Sequence, residues 1–270
     1  MAVVGFIGIG NMASAIIGGL IDSNTVAAGN IVVSSKTKSK RDEFAARLGV
    51  RALDTNAQVA AEADILILAV KPQMLPAVTA EIRNLVFAAE PLVISIAAGL
   101  SLDDLEELLG HQTRIARVMP NMNSRIRQGM SAVCANDATS QTDVDTVTTI
   151  FEAVGEVVQI PESQFSAFTA IAGSSPAFAF LFIDALSRGA VAAGMPKDLA
   201  TKCAAQAVMG SGALVNQSDQ SPWDLIDAVC SPGGTTIAGL LALEENAFLA
   251  TVTTAVAAVI ARDAELSDQV

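Results

Sequence analysis

Through its first 160 residues the chain alternates short apolar runs with longer stretches that mix small, apolar and polar residues. Residues 3–7 read as a strand, and residues 11–21 place small and apolar side chains at helical spacing. A strand over 30–34 and a helix over 39–48 repeat the pair. "DILILAV" at 64–70 is unbroken in its hydrophobicity, as expected of a strand covered on both faces. "LVISIA" at 92–97 is another, followed by a helix over 102–109, and "RIARVMP" and "MSAVCAN" read as further strands. Strands alternating with helices predict a parallel, doubly wound sheet.

The rhythm stops after Pro161. From Gln164 to Arg262 the pattern holds only Ala-rich helical stretches, broken by "GMP" at 194–196, "NQSDQSP" from Asn216 and "SPGG" from Ser231. Two domains follow, residues 1–160 and an all-helical 161–270.

The first turn carries candidate chemistry. Gly8, Ile9, Gly10, Asn11, Met12 and Ala13 follow a strand and open a helix in a G-x-G-x-x-A pattern. Such a turn lets a dinucleotide pyrophosphate approach backbone N–H groups at a helix N-terminus. An NAD site usually ends its second strand on an acid. Here that strand runs into "SSKTKSKR", so Ser34 and Ser35 offer hydroxyls and Lys36, Lys38, Lys40 and Arg41 offer cations. Those are four of only 16 bases in the chain, and they suit a ribose 2′-phosphate, favouring NADPH over NADH.

"CSPGGTTIAGLLALEE" at 230–245 is the second chemical stretch. Gly233 and Gly234 break one helix and Thr235 and Thr236 begin the next, leaving free N–H groups that fit a small carboxylate. Read alone, the stretch is a plain helix break before it is a ligand site. What is missing narrows the reaction. His111 is the single histidine and tyrosine is absent, so a carbonyl reductase would lack an obvious proton donor. A protonated imine needs only hydride, and a site poor in titratable groups suits C=N reduction.

Composition adds limits. The net charge of −12 argues against a nucleic-acid partner. Cys134, Cys203 and Cys230 have no metal or redox spacing and read as buried thiols in a reducing compartment. No basic segment precedes the first apolar run, so a cytoplasmic location is expected. Counting glycine, about 58% of the chain is apolar, above the usual ~45–50%. No run reaches the ~18 uninterrupted apolar residues of a membrane span, so the excess is assigned to a buried subunit interface.

These stretches together resemble the pyrroline-5-carboxylate reductase family along nearly the whole chain. The resemblance rests on "GFIGIGNMASAIIGGL", "DILILAVKPQ", "VISIAAGLSL", "RVMPN", "AIAGSSPAFAFLFIDAL" and above all "SPGGTTIAGLLALEE". It implies a Rossmann-like α/β dinucleotide-binding N-terminal domain and an all-α C-terminal dimerisation domain. It implies reduction of 1-pyrroline-5-carboxylate to L-proline with NADPH or NADH, by homodimers that often assemble into decamers. Gly8, Ile9, Gly10, Asn11 and Met12 would hold the pyrophosphate, and Ser35 and Lys36 the adenosine ribose. Asn56, Ala69, Val70, Lys71 and Pro72 would line the cofactor, with Ala97 and Ala98 near the nicotinamide. Asp219, Val229, Gly233, Gly234, Thr235 and Thr236 would form the substrate site, the Thr236 hydroxyl facing the ring nitrogen as the catalytic group. The partner chain would complete that site.

The chain departs from the family pattern at Met122-Asn123, where "MPNTP" is common, and at Ser175 and Phe178, where "GSGPAY" is common. Both changes bear on the substrate, so reduction of a related six-membered imine carboxylate stands as an alternative. A dinucleotide-binding regulator without turnover is a third, disfavoured by the intact "SPGGTT".

Overall fold

Four short strands with apolar side chains on both faces form the centre of the sheet. In the computed structural model, which describes residues 2–267, these are β1 (Val4–Ile7), β2 (Ile31–Ser34), β4 (Ile65–Leu68) and β5 (Leu92–Ser95), every residue buried. β3 (Arg51–Ala52) lies at one edge. β6 (Ile115–Met119), β7 (Gly129–Ala135) and β8 (Gly155–Gln159) complete an eight-stranded sheet in the order β3-β2-β1-β4-β5-β6-β7-β8.

Alternation along each strand sends its side chains to two cores. Val4, Phe6, Ile31, Val33, Ile65, Ile67 and Ile94 face one. It is covered by α1 (Asn11–Asp22), α2 (Lys38–Leu48) and α6 (Gln141–Glu152), through residues such as Ile16, Phe44 and Phe151. Ile7, Val32, Leu66, Leu68 and Val93 face the other. There they meet α3 (Asn56–Glu62), α4 (Leu75–Ala89), α5 (Leu102–Leu109) and α7 (Phe165–Phe168).

The sheet is not wholly parallel, in contrast to the reading from the sequence. β6 pairs antiparallel with β7, and β8 runs parallel to β7. The connection 120–128 explains the reversal: it is too short for the crossover of a dozen or more residues that a parallel neighbour needs.

The chain divides into two compact units, residues 1–173 with 259–270, and residues 174–258. The last strand ends at Gln159, yet the first unit continues to Gly173. Phe165, Phe168 and Ala172 belong to its second core, which holds this segment to the sheet.

The second unit contains α8 (Ser175–Ala192), α9 (Lys197–Gln217), α10 (Pro222–Val229), α11 (Thr235–Glu245) and the greater part of α12 (Phe248–Ser267). It holds few buried side chains. Among the described residues, every exposed large apolar side chain except Met74, Phe87, Met122 and Ile126 lies beyond residue 170. The helical run Glu162–Ala192 is long and apolar enough by composition to cross a bilayer, and only 22% of its most apolar window is buried. Of the three cysteines only Cys134 is buried. Cys203 is exposed and Cys230 half-buried, because both stand in the unit whose helices leave most of their surface uncovered.

Two adjacent glycines in α1 have opposite roles. A Cβ on Gly19 would land on Val154 Cγ1 and 2.7 Å from the Ala153 carbonyl, whereas one on Gly18 meets nothing within 4 Å. Gly19→Ala should destabilise the protein by about 1–3 kcal/mol through overpacking. Gly18→Ala should stabilise it by about 0.5–1 kcal/mol through helix propensity. Urea unfolding of both variants checks the opposite signs.

Candidate active site

The order of strands reverses between β1 and β4, the place where open α/β sheets bind ligands at their C-terminal edge. The turn after β1 shows why this edge is open. Gly8 has φ +100°, and a Cβ there would sit 2.6 Å from the Ala69 carbonyl. Only glycine lets the turn lie against the end of β4. Gly10 differs: a Cβ would meet nothing within 4 Å. It opens α1 in an extended conformation, and no side chain caps the helix. The first N–H groups of α1 therefore face space that the chain itself leaves vacant, with the partial positive charge of the helix start behind them. Asn11 is exposed and Met12 half-buried there. Those features fit a pyrophosphate.

A cleft of about 500 Å³ runs beside this turn. Gly8, Ser35, Lys36, Asn56, Ala69, Val70 and Lys71 line it, so the structure brings together in this cleft half of the cofactor residues expected from the sequence. Ile9 and Gly10 line a second cleft on the other side of the turn, with Thr37 and Lys40. Pro72 begins a 3₁₀ turn, Pro72–Met74, immediately after Lys71.

Two expected donors are spent inside the fold. Arg41 is buried, with its guanidinium 2.7 Å from Asp42, 2.9 Å from Asp54 and donating at 2.9 Å to the Leu53 carbonyl. It joins α2 to the end of β3 and is not available to a phosphate. Ser34 is also buried, and its hydroxyl donates to Asn56 Oδ1 at 2.8 Å. Ser35 and the exposed lysines remain. The sequence pattern could not separate these because cap, core and ligand roles follow one another within eight residues.

The loop carrying Ala97 and Ala98 leaves β5 and turns at Gly99, φ +78°. Ala97 is buried and Ala98 exposed. The loop ends at Ser101, whose hydroxyl accepts from the Asp104 N–H to cap α5. Glu162 Oε1 fixes this end by accepting from the Leu102 N–H and from Arg117 Nη1, both at 2.7 Å. The Arg117 guanidinium also lies 4.5 Å above the Phe165 ring, a cation–π contact. Cys134 stands opposite Arg117 in the ladder. Burial, with Glu162 adding, pushes its thiol up to about 12, so it is no nucleophile at neutral pH.

After β6, Asn121 joins two stretches. Its Nδ2 donates to the Ala172 carbonyl at 3.0 Å, and its Oδ1 accepts from the Met130 N–H at 3.2 Å. Ala172 lies in a π-helical turn, Thr169–Ser174, whose wide bore leaves that carbonyl for a side chain. Sequence reading missed Arg117, Glu162 and Asn121 as supports because each acts across at least nine residues. The signal available was a polar residue inside or directly after an apolar strand.

In the second unit, Gly233 has φ +70° and Gly234 opens α11 with no side-chain cap. Thr235 and Thr236 are exposed at that start. Val229 ends α10 and is 65% exposed. Asp219 lies in the exposed turn between α9 and α10, and no hydrogen bond among the described residues ties it to the Gly233–Thr236 turn. His111 is exposed against Glu106 at 2.9 Å. It precedes β6, which runs parallel to β5. That places it at the N-terminal edge of the sheet, about a strand's length, ~15 Å, from the edge that carries the clefts.

Comparison with known proteins agrees with this geometry. Residues 162–266 match the family model for pyrroline-5-carboxylate reductase dimerisation, and residues 3–99 match that for NADP oxidoreductase, coenzyme F420-dependent. The pyrroline-5-carboxylate reductase of Escherichia coli K12 is 41% identical, over 98% of each chain. That of Methanosarcina acetivorans is 40% identical over 97% of each chain. Among solved structures, the Coxiella burnetii reductase matches with a TM-score of 0.92 at 34% identity over 98% of each chain. The Plasmodium falciparum enzyme, solved with NADP bound, matches with a TM-score of 0.89 at 32% identity over 98% of each. With an identity near 40% along almost its full length and a dimerisation domain at its C-terminal end, this chain belongs to the pyrroline-5-carboxylate reductase family.

Proposed function

We propose that the protein reduces 1-pyrroline-5-carboxylate to L-proline with NADPH, with NADH as a second donor, as the last step of proline formation. The observation that carries the reading is the start of α11: a helix opened by Gly233-Gly234, uncapped by any side chain, with two exposed threonine hydroxyls. A dinucleotide-binding regulator has no use for such a site.

Bound NADPH supplies the hydride. The N–H groups at the start of α1 hold its pyrophosphate, and Ser35 and Lys36 its 2′-phosphate. Asn56 and the 69–72 turn line it, and Ala97 and Ala98 form a small, apolar wall for the nicotinamide. The N–H groups of residues 234–236 hold the substrate carboxylate, assisted by the helix dipole. The Thr236 hydroxyl orients the ring nitrogen. No side chain delivers an essential proton, because the imine enters already protonated and its nitrogen leaves as an amine. Asp219 and Val229 belong to the outer rim of this site.

A second copy of the chain covers the apolar helices of residues 171–266 and completes the site, and decamers of such dimers belong to the same reading. The apolar run 162–192 then meets protein and not lipid. The free thiols suit a reducing, cytoplasmic location. A six-membered imine carboxylate is the second substrate to test, because Met122 is 53% exposed where the family commonly has threonine.

NADPH oxidation with the five-membered imine, the six-membered imine and neither compares the readings directly; turnover fastest with the five-membered ring is expected. Lys36→Ala should raise KM for NADPH about 5–30-fold, the ~1–2 kcal/mol of an exposed phosphate contact, and leave NADH nearly unchanged. Equal losses would remove Lys36 from the adenosine site. Thr236→Ala should lower kcat/KM about 10–150-fold, the ~1.5–3 kcal/mol of a hydrogen bond to a charged group. His111→Ala should change it less than about twofold. An inactive but folded His111→Ala enzyme would refute the mechanism. Light scattering at micromolar concentration should show a dimer or larger, and a stable monomer would end the shared-site reading.

A further inference from the structure

We propose that Glu81 is a positioning residue that gives the cofactor cleft its preference for a phosphate at the adenosine end. The inference rests on reading that cleft as the NADPH site. Glu81 stands on α4, far in sequence from the glycine-rich turn, yet it lines the cleft together with Ser35, Lys36 and Asn56. Its Oε2 accepts a hydrogen bond from Asn56 Nδ2 at 2.9 Å, and Asn56 Oδ1 accepts from the Ser34 hydroxyl at 2.8 Å.

The direction of this short chain is set at one end. A carboxylate only accepts, so the Asn56 amide nitrogen must face Glu81 and its carbonyl must face Ser34. Ser34 is then obliged to donate inward. An amide nitrogen carries two N–H groups, and Glu81 takes one. The other is kept on the cleft side as a donor. Without Glu81 the amide could turn over. It would then donate to Ser34, which can accept as well as donate, and offer its carbonyl oxygen to the cleft. A phosphate, which only accepts beside these groups, meets a donor in the first arrangement and a repelling acceptor in the second. A plain ribose hydroxyl donates and accepts, so it tolerates both. A negative side chain thus favours a negative ligand, by fixing a donor between them.

Calorimetric titration of the full-length protein with NADP⁺ and with NAD⁺ tests this, using Glu81→Ala and Glu81→Gln. Glu81→Ala should weaken NADP⁺ about fivefold, and NAD⁺ less than twofold. Glu81→Gln offers an acceptor oxygen but can also donate to a turned-over Asn56, so it no longer fixes the amide and should leave NADP⁺ binding weakened, between the unaltered protein and Glu81→Ala. The KM values for NADPH and NADH should separate in the same way. Because Glu81 is exposed, thermal unfolding of both variants should match that of the unaltered protein. Unchanged NADP⁺ affinity in Glu81→Ala would overturn the proposal. So would tighter NADP⁺ binding in both variants, which would make Glu81 a source of repulsion. An unaltered protein that bound neither dinucleotide would overturn the cofactor reading itself, an outcome distinct from either of these.

Discussion

The closeness of two backbones at the centre of the sheet governs the edge where the chemistry is placed. The Gly8 turn lies against the Ala69 carbonyl so tightly that a methyl group would not fit. That approach sets the height of α1, whose first N–H groups then open on free space. It also brings the 69–72 turn beside the ends of β1 and β2, so three loops from separate elements share one cleft. The surrounding strands can be short because both of their faces are buried and every residue contributes to a core. A Cβ at Gly8 would force β1 and β4 apart and disturb all three loops.

Much of the N-terminal unit was legible in the sequence, and the reasons lie in particular residues. After the exposed Asp64, "ILIL" contains no residue suited to water, and it forms the central strand Ile65–Leu68. The helix Leu102–Leu109 was read to the residue, because Ser101 and Asp104 make a capping box and Gly110 ends it. β3 has only two residues, both exposed, and carries no pattern to read. The sense of β7 depends on the length of its connection to β6, not on its own apolar residues.

The candidate site was legible in its backbone and less so in its side chains. Glycines announce themselves because they answer to local conformation, as at Gly8 and Gly233. The direction of a hydrogen bond does not. "SSKTKSKR" offers eight consecutive polar or basic choices, and only packing decides that Ser34 and Arg41 turn inward while Ser35 stays half-buried and Lys36 exposed. Glu81 and Glu162 were invisible for the same reason, since each acts on a loop brought to it by the sheet. The apolar excess of the chain was a sound guide in sum, and its location beyond residue 170 agrees with a domain that family members use for dimerisation.

The single carboxamide of Asn121 has an evolutionary consequence. It accepts from the start of β7 and donates to the π-helical turn of residues 169–174, so two segments about forty residues apart share one side chain. Drift in either segment alters the geometry that the other must accommodate. Substitutions near Met122 and near Gly173 are therefore expected to be epistatic, with the effect of one depending on the state of the other. Lineages that changed the first would carry compensating changes in the second, and a residue transplanted singly from one relative to another would be a poor guide to what it does in its own background.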